Sequence, residues 1–137
     1  VRVGFTGTRR GLTIVQQNVL RAELAHLHPQ LLVHGACIGA DNEADQIAVE
    51  LGIPRLVYPS TARTRILDSV LQARAALTIL NPLPPLVRDK LIVAASEVVI
   101  ACPWQYTEQR RSGTWATVRY ARAAGRPVII IGPGGIK

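Results

Sequence analysis

The sequence predicts one α/β domain with three layers, a mostly parallel sheet covered by helices on both faces. Three observations predict it. Short apolar runs alternate along the chain with stretches of helical periodicity. The runs are continuous, as in Leu31-Leu32-Val33 and Val98-Val99-Ile100-Ala101-Cys102, rather than alternating apolar with polar. That is the mark of parallel strands buried on both faces. Finally, 137 residues with 48% hydrophobic and only 4% aromatic content suffice for a single aliphatic core. Crossovers in such a sheet are right-handed.

The elements follow in order. Val1 to Phe5 reads as a first strand ending in Thr6-Gly7-Thr8. Thr13 and Gln16 have capping-box spacing, and Leu20, Leu24 and Leu27 form an apolar stripe, which predicts a helix over 14–27 stopped by Pro29. Leu31 to Val33 is the second strand. It runs into His34-Gly35-Ala36-Cys37-Ile38-Gly39-Ala40-Asp41, where Asp41 or Asn42 is expected to cap a helix that Gly52 ends. Leu56 to Tyr58 is the third strand. Residues 60–84 carry the weakest pattern, with a helix expected around Ile66 to Ala76 and a short strand over Leu77 to Leu80. Pro82, Pro84 and Pro85 make a loop, with Pro85 in the first turn of a helix that runs to Ala95. Val98 to Cys102, a polar loop over 104–111, a helix over 114–124 and a strand over 127–131 complete the chain. The tail Gly132-Pro133-Gly134-Gly135 is expected to be flexible.

The formal net charge is +7, and 14 of the 16 basic residues are Arg. Arg suits bidentate phosphate recognition better than Lys, so the balance points to an anionic partner, a nucleotide or a nucleic acid. The other reading is a merely soluble surface. No run is long and apolar enough to span a bilayer, and the start carries no signal-peptide pattern, so the expectation is a soluble cytoplasmic protein with no membrane partner. Cys37 and Cys102 are too few for a disulfide framework, and no His shares their spacing in a metal pattern, so neither a metal nor a cofactor is expected. His34 lies three residues from Cys37, but strand-end packing is the expected role of that cysteine.

Ligands of parallel α/β sheets sit beyond the carboxyl ends of the strands. Three such ends carry Gly, Ser or Thr beside charged residues: Thr6-Gly7-Thr8-Arg9-Arg10, the segment Gly35 to Asp41, and Arg111-Ser112-Gly113-Thr114. The last opens a helix, whose free N–H groups and dipole favour phosphate. Ser112 or Thr114 as a plain helix cap is the competing reading. Asp41 offers a carboxylate to ribose hydroxyls. Trp104, Tyr106, Arg110 and Arg111 interleave aromatics with cations, which fits base stacking or, equally, a subunit interface.

The segment Arg88-Asp89-Lys90-Leu91-Ile92-Val93-Ala94-Ala95-Ser96-Glu97-Val98-Val99-Ile100-Ala101-Cys102-Pro103 resembles the LONELY GUY phosphoribohydrolases, and residues 34–41 resemble the Gly-Ala-x-Gly-Ala-Asp loop of the wider SLOG superfamily. DNA-processing protein A, of the same superfamily, shares a helix like Arg88-Asp89-Lys90-Leu91-Ile92. The resemblance implies a Rossmann-like nucleotide-binding domain over residues 1–137, N-glycosidic cleavage of nucleoside monophosphates in some members, binding of nucleotides or single-stranded DNA in others, and commonly a homodimer. In the phosphoribohydrolase motif Pro-Gly-Gly-x-Gly-Thr-x-x-Glu, Gly113 and Thr114 match the phosphate half. The carboxylate position falls on Thr117, and Thr114 follows Pro103 by eleven residues where the motif has five.

These readings converge on a ligand site of Gly7, Thr8, Arg9, Gly35, Ala36, Gly39, Asp41, Arg88, Pro103, Ser112, Gly113 and Thr114. Arg88, with Asp41 or Glu108 replacing the missing carboxylate, is the expected catalytic set if there is catalysis. The expected partner is a nucleotide or nucleotide-derived small molecule, with single-stranded nucleic acid and N-glycosidic hydrolysis as alternatives.

Overall fold

The computed structural model describes residues 1–62, 64–74 and 77–136. Its elements are β1 (Arg2–Gly7), α1 (Ile14–Leu27), β2 (Leu31–His34), α2 (Ala40–Glu50), β3 (Arg55–Val57), α3 (Asp68–Gln72), β4 (Leu77–Ile79), α4 (Pro85–Ala94), β5 (Val98–Cys102), α5 (Gly113–Ala123), β6 (Val128–Gly132) and β7 (Gly135–Ile136). The sheet order is β4-β3-β2-β1-β5-β6-β7. β1 to β6 pair in parallel, and only β7 is antiparallel. The α/β class and the mostly parallel sheet are therefore as expected.

The period-2 geometry of the strands divides the core between the two faces. Val3, Phe5, Ile100 and Cys102 pack with Leu20 and Leu24 of α1 and Ala44, Ile47 and Ala48 of α2. Their neighbours Val99 and Ala101 face the other way, toward Val93 of α4 and Trp115, Val118 and Ala121 of α5. Both faces of β1 and β5 are thus buried, which is why those segments read as unbroken apolar runs.

The chain builds outward from β1 to β4 and then returns to lay β5 on the other side of β1. The winding direction reverses between β1 and β5, where Gly7 is paired with Cys102 at the strand ends. In open α/β sheets this reversal opens a crevice beyond the strand termini.

Several local expectations change. The Thr13 capping box forms as expected, with Gln16 N–H on Thr13 Oγ1 and Thr13 N–H on Gln16 Oε1. α2 is capped by Gly39 rather than by Asp41 or Asn42, and no side chain completes that cap. Asp41 instead turns back, and its Oδ2 accepts the Cys37 N–H at 3.0 Å. The expected helix over 66–76 is the short α3, starting at Asp68 after the extended Leu67; Ala75 and Ala76 lie outside the described residues. The third strand starts at Arg55, one residue earlier than expected, because a buried partner accepts the guanidinium. The glycine-rich tail is ordered, turning β6 into β7, with the Tyr106 hydroxyl accepting from Gly134 N–H and donating to Gly135 O.

Candidate functional site

A cavity of about 430 Å³ opens at the β1/β5 reversal. The β1 end supplies Thr6 to Arg10, the β5 end supplies Pro103 and Trp104, and the loop before α5 supplies Gln109 and Arg111 to Thr114. Cys37 and Asp41 enter from the β2–α2 loop, and Arg88, Asp89 and Ile92 from α4. Of the expected ligand residues, Gly7, Thr8, Arg9, Asp41, Arg88, Pro103, Ser112, Gly113 and Thr114 line this one cavity.

Its rim is built by the start of α5. Ser112 is the N-cap, and its Oγ accepts the Trp115 N–H at 3.3 Å. The capping reading therefore describes Ser112. That leaves the Gly113 and Thr114 N–H groups, which have no acceptor among the described residues. A Cβ on Gly113 would meet nothing within 4 Å, so the loop is uncrowded on that side. Thr114 itself is buried at 7% exposure, and the Thr117 hydroxyl turns back to Gly113 O at 3.1 Å. Arg9 and Arg111 are exposed on the same rim and make no ion pair among the described residues. Arg10 stacks on Trp104, with its guanidinium carbon 3.6 Å from the ring centroid.

The floor is different in kind. Arg88 is buried, and its guanidinium is committed to the protein. Nε donates to Asp89 Oδ1 at 2.8 Å, Nη1 to Gly35 O at 2.6 Å and Tyr58 O at 3.3 Å, and Nη2 to Cys37 Sγ at 3.4 Å. Asp41 and Asp89 are 5% and 7% exposed. Burial pushes the carboxyl groups of both above the ordinary carboxylate range, against the pull of Arg88. Asp89 also lies beside the Thr117 hydroxyl. The carboxyl missing from position 117 is thus present next to it, carried by the neighbouring helix. Asp89 is not among the expected site residues. Its place in the cavity follows from the α4–α5 packing, which no sequence spacing reveals.

The remaining expected residues have other work. Gly35 and Ala36 shape the turn behind the floor. A Cβ on Gly35 would stand 2.0 Å from Arg88 Nη1, and Ala36 sits at φ 55°. Gly39, at φ 88°, lets the Arg9 backbone pass where a Cβ would meet the Arg9 carbonyl oxygen at 2.3 Å. Glu108 is not brought to the cavity. It is exposed on the polar loop and pairs with Arg119 at 3.0 Å, because that loop is pinned away by Tyr106 on the β6–β7 turn.

A buried network behind the floor was also missed. His34 Nδ1 accepts the Ala36 N–H at 3.0 Å, so Nε2 carries the proton and donates to Asp45 Oδ1 at 2.8 Å. Asp45 also accepts from Arg55 Nε at 2.8 Å and Arg74 Nη1 at 2.9 Å. Both ring nitrogens of His34 are therefore occupied, so it cannot serve Cys37 as a base. Burial, with Asp41 nearby, raises the Cys37 thiol above its ordinary pKa, which leaves it a packing thiol. Among the described residues no cluster of His, Cys, Asp or Glu is placed to hold a metal ion, and no helix is long and apolar enough to cross a membrane.

No family model matches the sequence, and no curated protein matches it at the sequence level. Solved structures do match. The molybdenum cofactor binding protein of the phototrophic bacterium Rippkaea orientalis superposes with a TM-score of 0.70 at 23% identity, over 96% of this chain and 76% of that one. DNA processing protein A of Streptococcus pneumoniae gives 0.72 at 18% identity, over 94% of this chain but only 49% of its own. The Helicobacter pylori protein of the same name, described for its single-stranded DNA binding mode, gives 0.66 at 23% identity over 95% and 64%. The chain therefore spans about half to two thirds of the DNA processing proteins. With the strand order and the cavity at its reversal point, these likenesses establish the fold: the chain is a Rossmann-like α/β domain.

Proposed function

We propose that this domain binds a nucleoside phosphate or a small molecule built like one, with the phosphate at the start of α5. The observation that carries this reading is the pair of open N–H groups on Gly113 and Thr114, facing a cavity whose uncommitted charges are Arg9 and Arg111. Backbone donors at a helix N-terminus and arginine forks are the two standard means of holding phosphate. Trp104, already stacked with Arg10 on one face, has its other face for a base. The test is a melting-temperature titration with nucleoside mono-, di- and cyclic phosphates. Arg9→Ala and Arg111→Ala should each weaken any binding tenfold or more. No shift with any of them at millimolar concentration, in a folded sample, removes the proposal. A cooperative response to oligonucleotides that collapses with salt would favour a single-stranded nucleic acid as the partner.

A second reading, N-glycosidic hydrolysis, is favoured by one observation: Asp89 lies beside Thr117, where the resembling enzymes carry their carboxylate. A carboxylate there would stabilise the oxocarbenium-like state as the base leaves and water adds to C1′. Release of free base from a nucleoside monophosphate, abolished in Asp89→Asn, is the expected result; binding without release rejects catalysis and leaves binding intact.

A further inference from the structure

The rim and the floor of the cavity have opposite chemistry. At the rim stand Arg9, Arg111 and the two open N–H groups of α5. On the floor, Arg88 has every nitrogen engaged by protein acceptors and offers no free fork to a ligand. What the floor presents is Asp41 and Asp89, both nearly buried and both lining the cavity. Asp41 Oδ2 accepts the Cys37 N–H at 3.0 Å, the Gly35 N–H also bonds its carboxylate, and Asp41 still lines the cavity. The groups facing Asp41 are His34 at the end of β2, Cys37 in the following loop and Arg88 of α4, with Asp89 close enough to interact. Those facing Asp89 are Arg88, Asp41 and Thr117. Among the described residues Arg88 is the cation bonded there, and it is already paired with Asp89.

A phosphate pushed to this floor would meet two carboxyl groups and no unspent cation. A hydroxyl or amino group would find acceptors waiting. We infer that the ligand enters with a fixed polarity: the Asp41–Asp89 floor takes the end of the ligand that donates hydrogen bonds, its sugar hydroxyls or a ring amino group, and the phosphate stays at the rim. This rests on the nucleoside-phosphate reading above and adds to it which end lies deep and what selects it.

The test uses the wild-type protein and a set of matched probes: inorganic phosphate, adenosine 5′-monophosphate, its 2′,3′-dideoxy analogue, and purine riboside 5′-monophosphate, which lacks the amino group. Calorimetry should give adenosine 5′-monophosphate at least tenfold tighter than inorganic phosphate. Loss of that tenfold in the dideoxy analogue assigns the floor to the sugar, and loss in purine riboside 5′-monophosphate assigns it to the base. If both analogues bind like the parent, or the parent binds no tighter than phosphate, the polarity is wrong while phosphate binding stands. If neither phosphate nor nucleotide binds, both readings fall. Asp41→Asn and Asp89→Asn supply the sign. Each should weaken adenosine 5′-monophosphate about tenfold and leave inorganic phosphate unchanged; tighter nucleotide binding in either variant would put the phosphate on the floor and overturn the inference.

Discussion

Asp45 shows what a single buried charge does in this molecule. It is fully buried and accepts from His34, Arg55 and Arg74. Burial opposes its ionisation, but those hydrogen bonds outweigh burial and hold the carboxyl far below the ordinary range. Asp45→Asn removes the buried charge that Arg55, Arg74 and His34 bond, and a loss of about 3–5 kcal/mol in urea unfolding is expected. The pH dependence has two signs. A depressed folded pKa stabilises above the unfolded value of about 3.9 and is lost as pH falls below it. Asp41 and Asp89 have raised folded pKa values, so their ionisation destabilises as pH rises from about 3.9 through those values. Together they predict a urea midpoint that falls as pH drops below about 3.9 and that also declines as pH rises from there through the raised values of Asp41 and Asp89. A midpoint that climbs steadily from pH 5 to 7 contradicts this assignment.

At the scale of elements, polar side chains do the joining where the apolar core stops. Gln16, 1% exposed, donates from Nε2 to Pro103 O at 2.7 Å and to Ile131 O at 2.9 Å, while its Oε1 closes the α1 capping box. One side chain thus ties α1 to the ends of β5 and β6, beside the cavity wall at Pro103. Gln16→Leu keeps the volume but strands two carbonyl groups and half a cap. About 2 kcal/mol or more of stability should be lost, read by chemical denaturation. Ser112→Ala removes the cap of α5, and about 1 kcal/mol is expected for that change alone. The capping box of α1 was readable because its partners lie three residues apart. The α2 cap was misread because Asp41 bonds to the Cys37 backbone instead, a loop geometry set by Ala36 in the left-handed region and by Gly39 yielding to the Arg9 backbone.

For the whole molecule, the decisive feature is the return of the chain to β1 through β5. It brings five separate segments to one cavity: 5–10, 37–41, 85–92, 103–104 and 109–115. A ligand bridging them binds the folded state alone. A nucleoside monophosphate at a hundred times its Kd should therefore add about 2.7 kcal/mol and raise Tm by roughly 5–15 °C. Arg111→Ala, at an exposed cavity-rim residue, should abolish most of the rise without lowering the ligand-free Tm by more than a few degrees. An equal rise in wild type and variant would mean that the ligand sits elsewhere.

The amino-acid sequence by itself determined the layers and the order of elements, because burial on both faces imprints continuous apolar runs and helix faces imprint their period. It also marked loops that meet at one cavity, since Gly, Ser, Thr and Arg at strand ends are local signals. The tertiary structure alone decided how those residues divide the work. Arg88 looked like a ligand until Gly35, Tyr58, Cys37 and Asp89 were seen to engage all three of its nitrogens. Asp89 had no expected place in the site until the packing of α4 on α5 set it beside Thr117 in the cavity. Glu108 looked like a spare carboxylate until its loop was found pinned to the β6–β7 turn. The commitments of Arg88, Asp89 and Glu108 depend on contacts between segments distant in the chain. Such contacts leave no period and no spacing in the sequence, only residue types whose partners the fold selects.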